Sequence, residues 1–230
     1  DAFGCAALLD AMASYDEKDS TSTKRDNINF EKSLSKDFGS LNIGVIKNIE
    51  KLGISEDVIN AYETSKTVLT GLGHKLIEVD FSELSSGICS YYVIAPAECS
   101  SNLSRFDGVK YGYRSEGEKD IANLYMNTRS DGFGDEVKKR ILIGTHVLSA
   151  GFYDAYYLQA QKVRRMIKLK FEDFFKDVDL IFMPTTLDQA FEKNRKSDDP
   201  NRMYKEDLLT IPANLAGLPA ISFPNGFKNN

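Results

Sequence analysis

Two residues in this sequence have the type and setting to recognise a small charged molecule. Arg140 ends the run Lys138-Lys139-Arg140, yet it directly precedes Ile141 and lies three residues after Val137. That puts it at the border of an apolar helical stripe. A guanidinium there can present its planar fork to a carboxylate in a partly dry site. Asp207 has a similar border position beside Leu208 and Leu209. A fixed arginine and a fixed aspartate together match the carboxylate and ammonium of a free amino acid. The alternative is a structural ion pair or two solvated side chains, and pattern alone favours that alternative.

Other chemistries are poorly served. No serine lies in a GxSxG elbow. The Ser100-Ser101 pair reads as a helix terminus. His74 and His146 lack carboxylate neighbours at ligand spacing, so no metal ligand is assigned. His74 fits a helix-end cap, and His146 is equally compatible with core and surface. Gly132-Phe133-Gly134 is too short for a phosphate-binding loop and reads as a helix entry turn. Cys5, Cys89 and Cys99 are odd in number and form no CxxC pair, which suits a reducing, cytoplasmic setting rather than a disulfide framework. The basic run Lys162 to Lys170 reads as a solvated helix face, with contact to RNA phosphates as a weaker option. A net charge of −5 over 230 residues disfavours a nucleic-acid-coating role for the chain as a whole. No apolar run is long enough to span a bilayer.

The elements that must position Arg140 and Asp207 follow from periodicity. The stretch 129–165 predicts two helices, over about 134–148 and 151–177, broken at Ser149-Ala150-Gly151. Val137, Ile141, Gly144 and Leu148 form the stripe of the first; Phe152, Tyr156, Val163, Ile167, Phe171 and Phe174 form that of the second. Upstream, 42–47 and 74–80 read as strands flanking a helix that starts near Ser55, whose buried side is Val58, Ala61, Val68 and Leu69. This βαβ unit implies parallel strands and a right-handed crossover. Residues 1–15 and 118–128 read as helices, the first with Phe3, Ala6, Leu9 and Met12 as its stripe. Pro96 predicts an irregular helix over 85–104, and Pro212 sits inside a helix-like run over 203–217. Residues 179–184 and 219–224 read as further strands, and 185–202 as a polar loop. The class is α/β, with at least four strands in a mixed sheet covered by helices. Residues 1–230 are expected to form a single partial domain, an excised piece of a longer polypeptide.

Three stretches carry a family resemblance: AECSSNLSRFDGVKYGYR (97–114), RSDGFGDEVKKRILIGTHVLSAGFYDAYYLQAQKVR (129–164) and TIPANLAGLPAISFPNG (210–226). They resemble the amidase-signature family, and within it the A subunits of tRNA-dependent amidotransferases. The resemblance implies an α/β/α fold and a glutaminase that releases ammonia for converting Glu-tRNA(Gln) to Gln-tRNA(Gln). It implies B and C subunits as partners, with Glu-tRNA(Gln) engaged mainly through the B subunit. No cofactor is expected on this chain; ATP and magnesium would serve the B subunit. The family's Ser-Ser-Lys catalytic group lies before the matched stretch, so no catalytic residue is assigned and the chain alone is expected to be inactive. Arg140 matches the family position that holds the glutamine α-carboxylate, and Asp207 the one that accepts from its α-ammonium. Tyr91 matches a tyrosine lining the pocket, a role that a one-residue shift would give to Tyr92. The other readings are a different amidase of the same family acting on small amides, and a non-catalytic scaffold that keeps the family's helices.

Overall fold

The computed structural model describes residues 1–26, 28–117, 119–191 and 202–227. Its centre is a short parallel sheet. β1 (Asn42–Ile46) lies between β2 (Lys75–Val79) and β3 (Leu180–Phe182). The registers run from Asn42 opposite Lys75 to Ile46 opposite Val79, and from Ile43 opposite Leu180 to Val45 opposite Phe182. The crossover from β1 to β2 is α3 (Glu56–Gly71), the expected βαβ unit. β1 is buried over Ile43–Ile46, as a central strand in a parallel sheet must be. Gly44 fits closely there: a methyl group on it would stand 3.2 Å from Ile181 Cγ1, so that side chain would have to shift by a few tenths of an ångström.

Tyr62 of α3 locks this layer. Its hydroxyl accepts from Ile46 N at 2.9 Å and donates to Phe182 O at 3.1 Å, and its ring stacks on Phe182 with centroids 5.3 Å apart. The sheet shares one core with three later helices. They are α4 (Gly87–Leu103), α7 (Leu158–Phe174) and α9 (Ile211–Ala216). Leu84, Ile167 and Leu209 are completely buried in that core. α6 (Asp135–Val147) packs against α4 from the other side. α1 (Ala2–Met12) and α2 (Phe30–Ser33) pack on each other, with the Asp10 carboxylate accepting from Phe30 N and Glu31 N. α5 (Ile121–Gly132) precedes α6, and the short α8 (Arg202–Lys205) precedes α9. No helix among the described residues is long and apolar enough to cross a membrane.

Several sequence expectations need correction. The described strands pair only in parallel, so the expected mixed sheet is seen as three parallel strands. Residues 219–224 form no fourth strand. Pro219 and Pro224 have no N–H to give a ladder, and the segment is held by side chains instead. Thr185 Oγ1 and Ser222 Oγ lie 2.9 Å apart, and Asn225 bonds Ser65 Oγ and Ala61 O on α3.

Pro96 does not interrupt α4, which runs unbroken through it. Packing supplies what the missing hydrogen bond removes, because Pro96 is fully buried. Pro212 lies in the first turn of α9, where an N–H would have no intrahelical partner, rather than inside a longer helix. The polar 185–202 loop falls mostly outside the described residues, at 192–201.

Some apolar stripes differ from the expected ones at single positions. On α1 only Ala6 is buried, and Phe3 and Met12 are exposed. On α3 the buried residue is Tyr62, while Val68 faces solvent. Val147, not Leu148, closes the stripe of α6. Gly151, at φ +85°, makes the expected break after α6. The chain then makes a π-helical turn over Tyr153–Tyr157, in which Leu158 N bonds Tyr153 O, before α7 begins. Phe152 and Tyr156 are consequently exposed, whereas Ile167 and Phe171 keep their predicted burial.

Candidate substrate-recognition site

Arg140 stands in the middle of α6 with about a third of its side chain exposed (34%). One turn earlier, Glu136 accepts from its Nε at 3.2 Å through Oε1. Glutamate in the first turn of a helix is favoured by the helix dipole, and Glu four residues before Arg is a stabilising pair. Across the helix interface, Tyr91 of α4 meets the same guanidinium. Its hydroxyl is the chief cause that raises the Arg140 pKa; Glu136 adds to this, and partial burial opposes it. The cation is therefore held from two sides.

Asp207 follows α8. Its backbone carbonyl accepts from Thr210 N and Ile211 N, which fixes the turn that starts α9. Leu209, two residues on, is completely buried and anchors that turn in the core. The Tyr92 hydroxyl donates to Asp207 Oδ2 at 2.9 Å. That bond occupies one carboxylate oxygen. Burial pushes the Tyr92 hydroxyl pKa strongly up, the bond to Asp207 and its charge push the same way, and Arg140 acts in the opposite direction. Tyr91 and Tyr92 meet edge to face at 5.1 Å, and Tyr204 meets Tyr92 likewise at 4.7 Å.

The three residues singled out in the sequence are thus drawn together. Arg140 and Asp207 each meet one ring of an aromatic pair that α4 supplies from consecutive positions. Tyr91 serves the arginine side and Tyr92 the aspartate side. Sequence reasoning named Tyr91 and held Tyr92 only as its neighbour. It missed Tyr204 and Glu136. The Glu-x-x-x-Arg spacing was a readable signal for Glu136, whereas Tyr204 carries none, since its contact depends on how α8 folds back over α4. The arrangement offers a fixed cation, a carboxylate and a polarised aromatic wall between them, which suits a zwitterion. It holds no nucleophile with a base beside it.

The remaining sequence candidates fall elsewhere. His74 Nδ1 accepts from Leu41 N at 3.2 Å, tying the starts of β1 and β2 together instead of capping a helix with its ring. His146 lies 4.1 Å from the Phe152 ring. Cys5, Cys89 and Cys99 are free thiols. No cluster of three metal-ligating side chains occurs among the described residues. The basic face of α7 is partly knitted into the protein, with Lys170 paired to Glu83, Lys168 to Glu172, and Arg164 Nε donating to Leu215 O.

Comparison with known proteins agrees with this architecture. The Amidase family model matches residues 2–230. The chain is 51% identical over 225 residues to the A subunit of the glutamyl-tRNA(Gln) amidotransferase of Cellvibrio japonicus, covering 98% of this chain and 46% of that protein. It is 49% identical over 223 residues to the A subunit of the same enzyme from Hahella chejuensis, covering 97% and 46%. Among solved structures, the glutamyl-tRNA(Gln) amidotransferase A subunit of Thermotoga maritima superposes with a TM-score of 0.70 at 36% identity, covering 97% of this chain and 44% of that one. The chain spans just under half the length of the relatives it matches. A parallel α/β core, a family match along nearly the whole length and close similarity in sequence lead to one conclusion: the chain belongs to the amidase family.

Proposed function

We propose that this chain is the glutamine-recognising part of the A subunit of a glutamyl-tRNA(Gln) amidotransferase. The whole subunit hydrolyses the glutamine side-chain amide and supplies ammonia for converting Glu-tRNA(Gln) to Gln-tRNA(Gln). It does so in the cytoplasm with B and C subunits, and the B subunit uses ATP and magnesium. The observation that carries this reading is the convergence of Arg140 and Asp207 on the Tyr91–Tyr92 pair. The guanidinium holds the α-carboxylate, the Asp207 carboxylate accepts from the α-ammonium, and the tyrosines wall the aliphatic portion. Sequence identity near 50% with A subunits of that enzyme supports the substrate.

Two outcomes test it. The chain by itself is expected to release no ammonia from glutamine, because the attacking group belongs to the rest of the protein. A coupled ammonia assay on the purified chain checks this, and steady release would sink the reading. In the full-length protein, Asp207→Asn keeps an acceptor for Tyr92 but removes the charge facing the ammonium. It should cost about 2 kcal/mol of glutamine recognition, the scale of a charged hydrogen bond. Glutaramate, which lacks the α-amine, should be processed as before. Equal losses on both substrates would remove Asp207 from ammonium binding.

A further inference from the structure

Arg140 and Tyr91 sit on different helices, so their contact depends on how closely α4 and α6 approach. That approach is set one turn away. Gly144, four residues after Arg140, is buried against Pro96, five residues after Tyr91 and four after Tyr92. A methyl group on Gly144 would overlap the Pro96 carbonyl oxygen and stand 2.7 Å from Ser100 Cβ. The obstacle is backbone, which cannot rotate aside as a side chain can. Pro96 itself cannot recede, since it is fully buried. Ser100 Oγ and Thr145 Oγ1, 2.9 Å apart, tie the same crossing together.

We infer that Gly144 is a positioning residue for substrate selection: its missing side chain lets α6 touch the α4 backbone at Pro96, and this contact sets the distance from Arg140 to Tyr91. The inference rests on the proposed role of Arg140 as holder of the glutamine carboxylate. Any side chain at 144 forces the helices apart one turn from the guanidinium. The arginine then moves relative to the wall opposite it, while the groups that act on the amide are untouched. Misplacement on the scale of an ångström is enough to weaken recognition severely.

The test uses the full-length protein with two amides. Glutamine carries both α-groups; butyramide is a simple aliphatic amide with neither. Gly144→Ala is expected to raise the KM for glutamine about tenfold or more, with kcat little changed and kcat/KM for butyramide preserved. A parallel loss on both amides would mean general damage and would overturn the inference. So would an unchanged glutamine KM. In an Arg140→Ala background, Gly144→Ala should add no further rise; a rise by the same factor would show that the effect does not pass through Arg140. If Arg140→Ala alone leaves the glutamine KM unaltered, the site reading fails instead. Should Gly144→Ala prevent folding, Ser100→Val wedges the same crossing from the partly exposed α4 side. It should raise the glutamine KM by a smaller factor, and no rise would overturn the inference.

Discussion

Replacing Arg140 by alanine in the full-length protein should raise the KM for glutamine by about 30- to 100-fold, or about 2–3 kcal/mol. The figure belongs to the lower part of the range for a charged, hydrogen-bonded pair, because about a third of the side chain is exposed (34%). The substrate carboxylate loses a bidentate donor, Tyr91 loses the guanidinium across the helix interface, and Glu136 keeps only Lys139, 4.0 Å away, as a cation. Arg140→Lys should recover only part of the loss, since an ammonium keeps the charge but not the fork. kcat should change less than KM, because the guanidinium grips a part of glutamine remote from the amide. Steady-state ammonia release over a range of glutamine concentrations measures all three quantities. An unchanged KM for Arg140→Ala would remove this residue from substrate binding.

Truncating Tyr62 to alanine should produce the largest loss of stability at a single polar position. It is expected to cost about 3–5 kcal/mol, the usual penalty for emptying an aromatic site in a core. Tyr62→Phe isolates the hydroxyl. It leaves Ile46 N–H and Phe182 C=O without the group that joins them, at about 1–3 kcal/mol. The same hydroxyl gives a pH signature. Burial pushes its pKa up to about 12, against the opposing bond from Ile46. An unfolded tyrosine ionises near 10. Below pH 10 both states keep the proton, and the contribution is fully present. Between 10 and 12 only the unfolded chain releases it, so stability falls by about 1.4 kcal/mol per pH unit. Urea unfolding at pH 8 and pH 11 should show the gap between native and Tyr62→Phe proteins narrowing at the higher pH. A constant gap would count against the buried hydroxyl as its source.

What the sequence disclosed depended on how local each signal was. The β1–α3–β2 unit was legible because its strands are short apolar runs and its helix has clear punctuation. Arg140 was legible as a border residue, and the Glu136 pair could have been read from spacing alone. The prolines misled for a tertiary reason. Pro96 is tolerated because α6 presses on it through a glycine, and no window of α4 contains that information. The segment 219–224 has strand-like composition, yet side-chain bonds from Thr185 and α3 hold it without a ladder. Tyr92 could be named only as an alternative to Tyr91, because its partner is 115 residues away. The resemblance to relatives supplied roles for Tyr91 and Asp207, but only the packing of α4 divided the two tyrosines between the two charges.

The π-helical turn at Tyr153–Tyr157 bears on how this region tolerates change in length. A turn closed by a bond from residue 158 to residue 153 holds one residue more than an α-helix needs there. Each residue of an α-helix advances the face by about 100°. In a regular helix the loss of one residue would turn the face by that amount, but the wider turn takes up its extra residue itself, so deleting one position here would restore an α-helical turn and leave Phe152 before it and Ile167 and Phe171 after it in their present register. The turn is thus a place where the chain can shed one residue without moving the buried face of α7 or the aromatic segment that precedes it.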